Sequence, residues 1–123
     1  HDQNTVERVC TAVRDALANE QGSILVFLPG QGEIRRCASN LAARVDGDVI
    51  IAPLYGDLSL AEQRVAIAPV AAGQRKVVLA TSIAESSLTI DGIRVVVDSG
   101  LTLERRSMLS LVERVAAKRV GGL

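Results

Sequence analysis

Lys76 to Gly100 reads KVVLATSIAESSLTIDGIRVVVDSG. Lys76 to Ala80 and Ile93 to Val97 are two β-branched runs, apolar except for Lys76 and Arg94, and read as strands of a mainly parallel sheet. Between them Ser82-Ile83-Ala84-Glu85 has the spacing of a capping box and predicts a brief helix. The first strand therefore delivers Thr81 and Ser82 to a sheet edge just before a helix N-terminus. Hydroxyls, backbone N–H groups and the positive end of a helix converge there, an arrangement that binds phosphate. Ser86, Ser87 and Thr89 add hydroxyls, and the Asp91-Gly92 turn offers a carboxylate suited to a ribose. On residue types alone the same Ser/Thr cluster also reads as capping and turn formation, and by itself it carries no function.

The alternation continues outward from this stretch. Asn4 and Glu7 have capping-box spacing, and Val6, Val9, Val13 and Leu17 recur at helical intervals, which predicts a helix from about Thr5 to Asn19. Ser23 to Leu28 is a continuous apolar run closed by Pro29-Gly30. Ile34, Cys37, Ala38, Leu41 and Val45 predict a second helix, and Val49 to Ala52 a second strand. Ser59-Leu60-Ala61-Glu62 is another capping box, whose helix should stop near Ala68 because Pro69 disfavours helical geometry before it. The chain thus reads as an α/β domain, a mainly parallel sheet with helices on both faces. Downstream, Leu101, Met108, Leu111, Val112 and Val115 fit an amphipathic helix ending at Gly121-Gly122, which divides the chain into a lobe over residues 1–101 and a helical segment over 102–123.

Composition narrows the function classes. The 123 residues carry no net charge and no Lys/Arg block, so a diffuse basic surface is excluded and any nucleic-acid contact has to be local. Phe27 and Tyr55 are the only aromatic residues, which argues against base stacking and leaves backbone contact. The two cysteines, Cys10 and Cys37, lie in different apolar helical stretches without metal-ligand spacing and read as buried free thiols. Arg75 and Lys76, at a strand start, read as a solvated edge, with a phosphate contact as the alternative, and Asp98 is equally a nucleotide-facing group or the start of a turn. No apolar run approaches a membrane span and no signal peptide is visible, so no membrane association and a cytoplasmic location are expected. An opening His1 in place of Met suggests a piece of a longer protein.

ATSIAESSLTIDG followed by VVVDSG resembles motif V of the DEAH-box helicases. ILVFLPGQGEI, Ile24 to Ile34, is similar to motif IV and its following helix, and PLYGDLSLAEQ, Pro53 to Gln63, is similar to a further conserved element of that family. The three blocks occur in the family's order, and their wording most resembles the bacterial HrpB branch. The resemblance covers about Gly22 to Leu101 and implies a RecA-like three-layer domain, the second motor lobe of an ATP-dependent RNA or DNA helicase. It implies that Thr81 contacts a strand phosphate, with Ser82, Ser86 and Ser87 in the loop beside it and Gly30, Gln31, Gly32 and Glu33 approaching the backbone on the same side. Asp91 and Thr89 would face the nucleotide. The implied partners are single-stranded nucleic acid, with RNA favoured over DNA, and a first RecA-like lobe, which would bind most of the ATP and Mg2+. Ser82 stands where the family usually has Asn, and Ser86 where it usually has Thr. No match to the arginine-rich motif VI is present, nor a P-loop, so the chain alone is expected to be inactive as an ATPase. The alternatives are a stand-alone phosphate- or nucleotide-binding module and a protein docking domain.

Overall fold

Six consecutive buried residues, Ser23–Leu28, form the strand β1 at the centre of the molecule. The structure is a computed structural model that describes residues 2–55, 58–81, 92–98 and 103–105. In chain order the elements are α1 (Asp2–Asn19), β1, α2 (Gln31–Ala42), β2 (Val49–Leu54), α3 (Leu60–Ile67), β3 (Arg75–Thr81), β4 (Ile93–Asp98) and β5 (Leu103–Arg105). The sheet has the order β2-β3-β1-β4-β5. β1 to β4 are mutually parallel, and β5 runs antiparallel to β4.

Alternation along the strands separates two cores. Ile24, Val26 and Leu28 of β1, with Val77, Leu79, Val95 and Val97, face the layer made by α1 and α2. Leu25 and Phe27, with Val78, Ala80 and Val96, face α3. Side chains at successive strand positions point to opposite faces, so an unbroken apolar run is what a sheet covered on both sides requires. The expected α/β architecture, RecA-like with helices on both faces, is present.

The two helical layers are anchored differently. α1 contributes Val6, Val9, Cys10, Val13 and Ala16 to its core, whereas α3 buries only Ala66 and leaves Leu60, Val65 and Ile67 exposed. What holds α3 is polar. Ser59 Oγ accepts from the Glu62 N–H at 3.2 Å while Glu62 Oε1 accepts from the Ser59 N–H at 3.2 Å, the predicted capping box. At the other end, Lys76 Nζ donates to Val65 O at 3.1 Å and to Ala68 O. Ala68 itself is extended, φ −62 and ψ 148, as the residue before Pro69 should be.

Several local expectations are corrected. α1 begins at Asp2 and runs through Asn4, which is therefore inside the helix and not its cap. β2 continues through Pro53 to Leu54, tolerated because β2 is an edge strand and can spare one N–H. Arg75 and Lys76 are not a solvated edge. Lys76 is 1% exposed, and Arg75 donates to Leu17 O at 2.6 Å, Glu20 O at 2.9 Å and Gly22 O at 2.8 Å. Leu103–Arg105, which apolar spacing assigns to a helix, pair as a strand with Val95 to Val97; the remainder of that expected helix lies outside the described residues.

Gly22 has φ +83, and the Ser23 N–H donates to Gly92 O at 2.9 Å, so the entries to β1 and β4 lie against each other. A Cβ at Gly22 would stand 2.2 Å from Arg94 Cγ and 3.0 Å from Gly92 O, which leaves glycine the one residue type that fits. Among the described residues no helix is long and apolar enough to cross a membrane.

Lys76→Met keeps the buried stem but leaves the carbonyls of Val65 and Ala68 without their donor, and should cost about 1–3 kcal/mol in urea denaturation. Burial holds the Lys76 ammonium below the ordinary lysine value. Between the folded and unfolded pKa values the folded chain then binds fewer protons, so this group's contribution to stability rises with pH through that interval. The Met variant should lack that rise.

Candidate functional site

In a parallel sheet the carboxyl ends of the strands share one edge, and loops from that edge lead into helix N-termini. Here the register places Leu28 of β1 beside Thr81 of β3, and Phe27 beside Asp98 of β4. Thr81 is half-buried at the last position of its strand. Immediately after Leu28, Pro29-Gly30 turns the chain into α2, so Gly30, Gln31, Gly32 and Glu33 start at the same edge as Thr81. Thus five of the ten expected site residues are brought to one edge by the pairing of β1 with β3. The other five, Ser82, Ser86, Ser87, Thr89 and Asp91, lie outside the described residues.

The two helix starts at this edge differ in chemistry. Gly30, the N-cap of α2, is extended and has no side chain with which to accept from the first turn. Its carbonyl accepts from the Ile34 N–H at 3.1 Å, so the helix is closed from its second turn onward. Glu33 occupies the position that Glu62 holds in α3, but without a hydroxyl at the N-cap the reciprocal box does not form. Instead the Glu33 carboxylate accepts from Arg36 at 3.2 Å. That pairing offsets the one negative charge in the first turn of α2, which leaves the helix dipole to favour an anion. A Cβ on Gly30 would meet only Glu33 Oε1, at 3.2 Å, so the glycine is not demanded by backbone strain. Among the described residues no group of three or more His, Cys, Asp or Glu could hold a metal ion.

The helicase conserved C-terminal domain matches residues 4–119 of this chain. The chain belongs to that family. It is 58% identical over 92 residues to the ATP-dependent RNA helicase HrpB of Escherichia coli (strain K12), a match that takes in 75% of this chain and 11% of that protein. It is 47% identical over 87 residues to the putative DEAH-box ATP-dependent helicase UM11114 of Mycosarcoma maydis, covering 69% of this chain and 6% of that protein. The crystal structure of the E. coli DExH-box NTPase HrpB superimposes with a TM-score of 0.73 at 48% identity, covering 83% of this chain and 14% of that one. The chain is therefore a helicase C-terminal domain closely related to the bacterial HrpB-type DEAH-box helicases, and it spans about a tenth of the length of those relatives.

In this helicase domain Gly30→Ser would supply the hydroxyl that completes a box with Glu33, as Ser59 does with Glu62. Thermal or urea denaturation should show stability unchanged or raised by a few tenths of a kcal/mol, because glycine is already a tolerated N-cap.

Proposed function

We propose that this domain is the second motor lobe of an ATP-dependent helicase, holding a nucleic-acid backbone at the carboxyl edge of its sheet and completing an ATP site with a first RecA-like lobe. The observation that supports the reading is the Leu28–Thr81 register, which brings the end of β3 to the same edge as the start of α2, whose N-cap Gly30 has no side chain. A phosphate at that edge would accept from the Thr81 hydroxyl and from backbone N–H groups of residues 30–33. Such contacts hold a strand without reading its bases, in keeping with a chain that has two aromatic residues and no net charge. Ser82, Ser86 and Ser87 extend the strand contact in this reading, Asp91 faces the nucleotide ribose and Thr89 belongs to the nucleotide site.

The strand is RNA in preference to DNA, a choice supported by the names of relatives such as the ATP-dependent RNA helicase HrpB of E. coli. ATP and Mg2+ belong mostly to the first lobe. ATP supplies the free energy that closes the two lobes on each other; this chain's own residues orient the backbone at the edge where β3 ends. The cytoplasm is the proposed location.

Three measurements test the proposal. Thr81→Val in the full-length protein keeps the shape of a strand end but loses one hydrogen bond to a charged group, about 1.5–3 kcal/mol, so strand affinity should fall by roughly tenfold to a hundredfold with folding intact. Gly30→Ser should also weaken strand binding while leaving stability unchanged or higher; equal binding by both variants and the parent would refute the edge as the strand site. The isolated chain should show no ATP turnover above background, and robust turnover would overturn the two-lobe assignment.

A further inference from the structure

Cys10 and Cys37 are 27 positions apart, yet their sulfurs lie 3.2 Å from each other. Cys10 is 1% exposed and Cys37 0%, and both are free thiols in the seam between α1 and α2. Either sulfur can donate to the other, and Cys10 can also donate to the Cys37 carbonyl at 3.8 Å. A disulfide needs about 2.05 Å between sulfurs, so closure asks the two sulfurs to approach by about an ångström. A groove of about 240 Å³ follows the same seam, lined by Glu7, Thr11, Arg14, Asn40 and Arg44. Glu7 and Arg14 are three and four residues from Cys10, and Asn40 is three from Cys37, so this groove flanks the thiol pair by one helical turn on each helix.

We propose that Cys10 and Cys37 form an oxidisable dithiol, a modification site for hydroperoxides, whose disulfide staples α1 to α2. The chemistry balances within the pair. Cys10, as thiolate, attacks one peroxide oxygen; an S–O bond forms, the O–O bond breaks, and the departing alkoxide or hydroxide takes up the proton that Cys10 released. Cys37 sulfur then attacks the Cys10 sulfenic acid; the S–S bond forms, the S–O bond breaks, and hydroxide leaves as water with the proton of Cys37. Two thiols and one hydroperoxide give one disulfide, one alcohol (water when the peroxide is hydrogen peroxide) and one water, and the peroxide gains two electrons.

The surroundings distinguish the two roles. A hydrogen bond from Cys37 lowers the pKa of Cys10 against the effect of burial, and the Arg14 and Arg44 guanidinium groups act in the same direction while Glu7 opposes them. The Cys37 thiol is raised, first as the donor in that bond and then by burial and by the neighbouring Cys10. With Arg14 and Arg44 of the adjoining groove favouring its thiolate, Cys10 is the attacking sulfur and Cys37 the one that resolves it. Since both are shielded, peroxide reaches them as the α1–α2 seam opens, and the rate follows that opening.

The test treats the full-length protein with hydrogen peroxide, followed by digestion without reductant and mass spectrometry. Expected is a linked Cys10–Cys37 peptide two hydrogens lighter than its reduced parts, restored by dithiothreitol. Amide exchange across α1 should slow by at least about tenfold in the oxidised protein, because the staple removes the opening that exposes it. Cys37→Ala, or Cys37→Ser should the first fail to fold, should instead leave a Cys10 sulfenic acid that dimedone traps. Persistence of both free thiols in peroxide that oxidises them after denaturation, sulfinic acid at Cys10 beside an intact Cys37, or linkage of either to another cysteine would each overturn the proposal. Strand affinity plays no part in these readouts, so they stand or fall apart from the motor-lobe reading.

Discussion

Two adjacent cations on β3 tie the three layers together. Arg75 and Lys76 are successive strand residues and so project to opposite faces of the sheet. On one face Arg75 bonds the carbonyls of Leu17, Glu20 and Gly22, at the end of a helix whose own last turn contains no basic residue. On the other, Lys76 bonds those of Val65 and Ala68, at the end of a helix that buries a single alanine. Each cation meets one carbonyl of a helix's last turn, Leu17 for Arg75 and Val65 for Lys76, together with carbonyls just beyond that helix, and sits at the negative end of its dipole. Hydrophobic burial explains why α1 packs on the sheet. It does not explain why α3 stays there.

This anchoring has a direction. Arg75 opens β3 and Thr81 closes it, six residues and about 20 Å further along. Polar satisfaction is concentrated at the amino ends of the strands, where Ser23 Oγ also accepts from the Lys76 N–H at 2.9 Å. At the carboxyl ends, half-buried Thr81 closes β3 and Gly30, an N-cap without a side chain, opens α2.

What the sequence made legible follows from the range of each interaction. Capping at Ser59 to Glu62 spans three residues, the halt before Pro69 is between neighbours, and the all-apolar β1 reports its own burial; each was readable locally. The partners of Arg75 are 53 to 58 residues away, and nothing adjacent to Arg75 marks them. The same is true of Cys10 and Cys37, whose apolar stripes show that each is buried but not that two helices bring the sulfurs into one another's reach. Asn4 misled because capping-box spacing is also ordinary helical spacing, and the helix simply continued upstream. Leu103–Arg105 is too short for alternation to declare itself against an overlapping helical pattern. At the site, Thr81 and residues 30–33 were each visible as strand and loop ends, whereas their shared edge depends on β3 inserting between β1 and β2, a fact of topology.

The contrast between α2 and α3 bears on how such an edge could grip a strand. Both helices start with a glutamate at the third position, but only α3 has the serine that makes it a closed box. In α2 the glutamate turns to Arg36, so no capping box forms with Gly30 and the glutamate's charge is paired. A backbone phosphate at this edge would meet a hydroxyl, peptide N–H groups and a helix dipole in place of a row of lysines. Attraction through fixed dipoles acts over a turn of helix, and it releases fewer counterions than pairing each phosphate with a lysine or arginine. A strand held this way is gripped by fit at a few phosphates, with affinity that depends on the position of the loop more than on total charge. In the proposed motor-lobe reading such a grip is set by geometry at the carboxyl end of β3, while Arg75 and Lys76 anchor the amino end of the same strand.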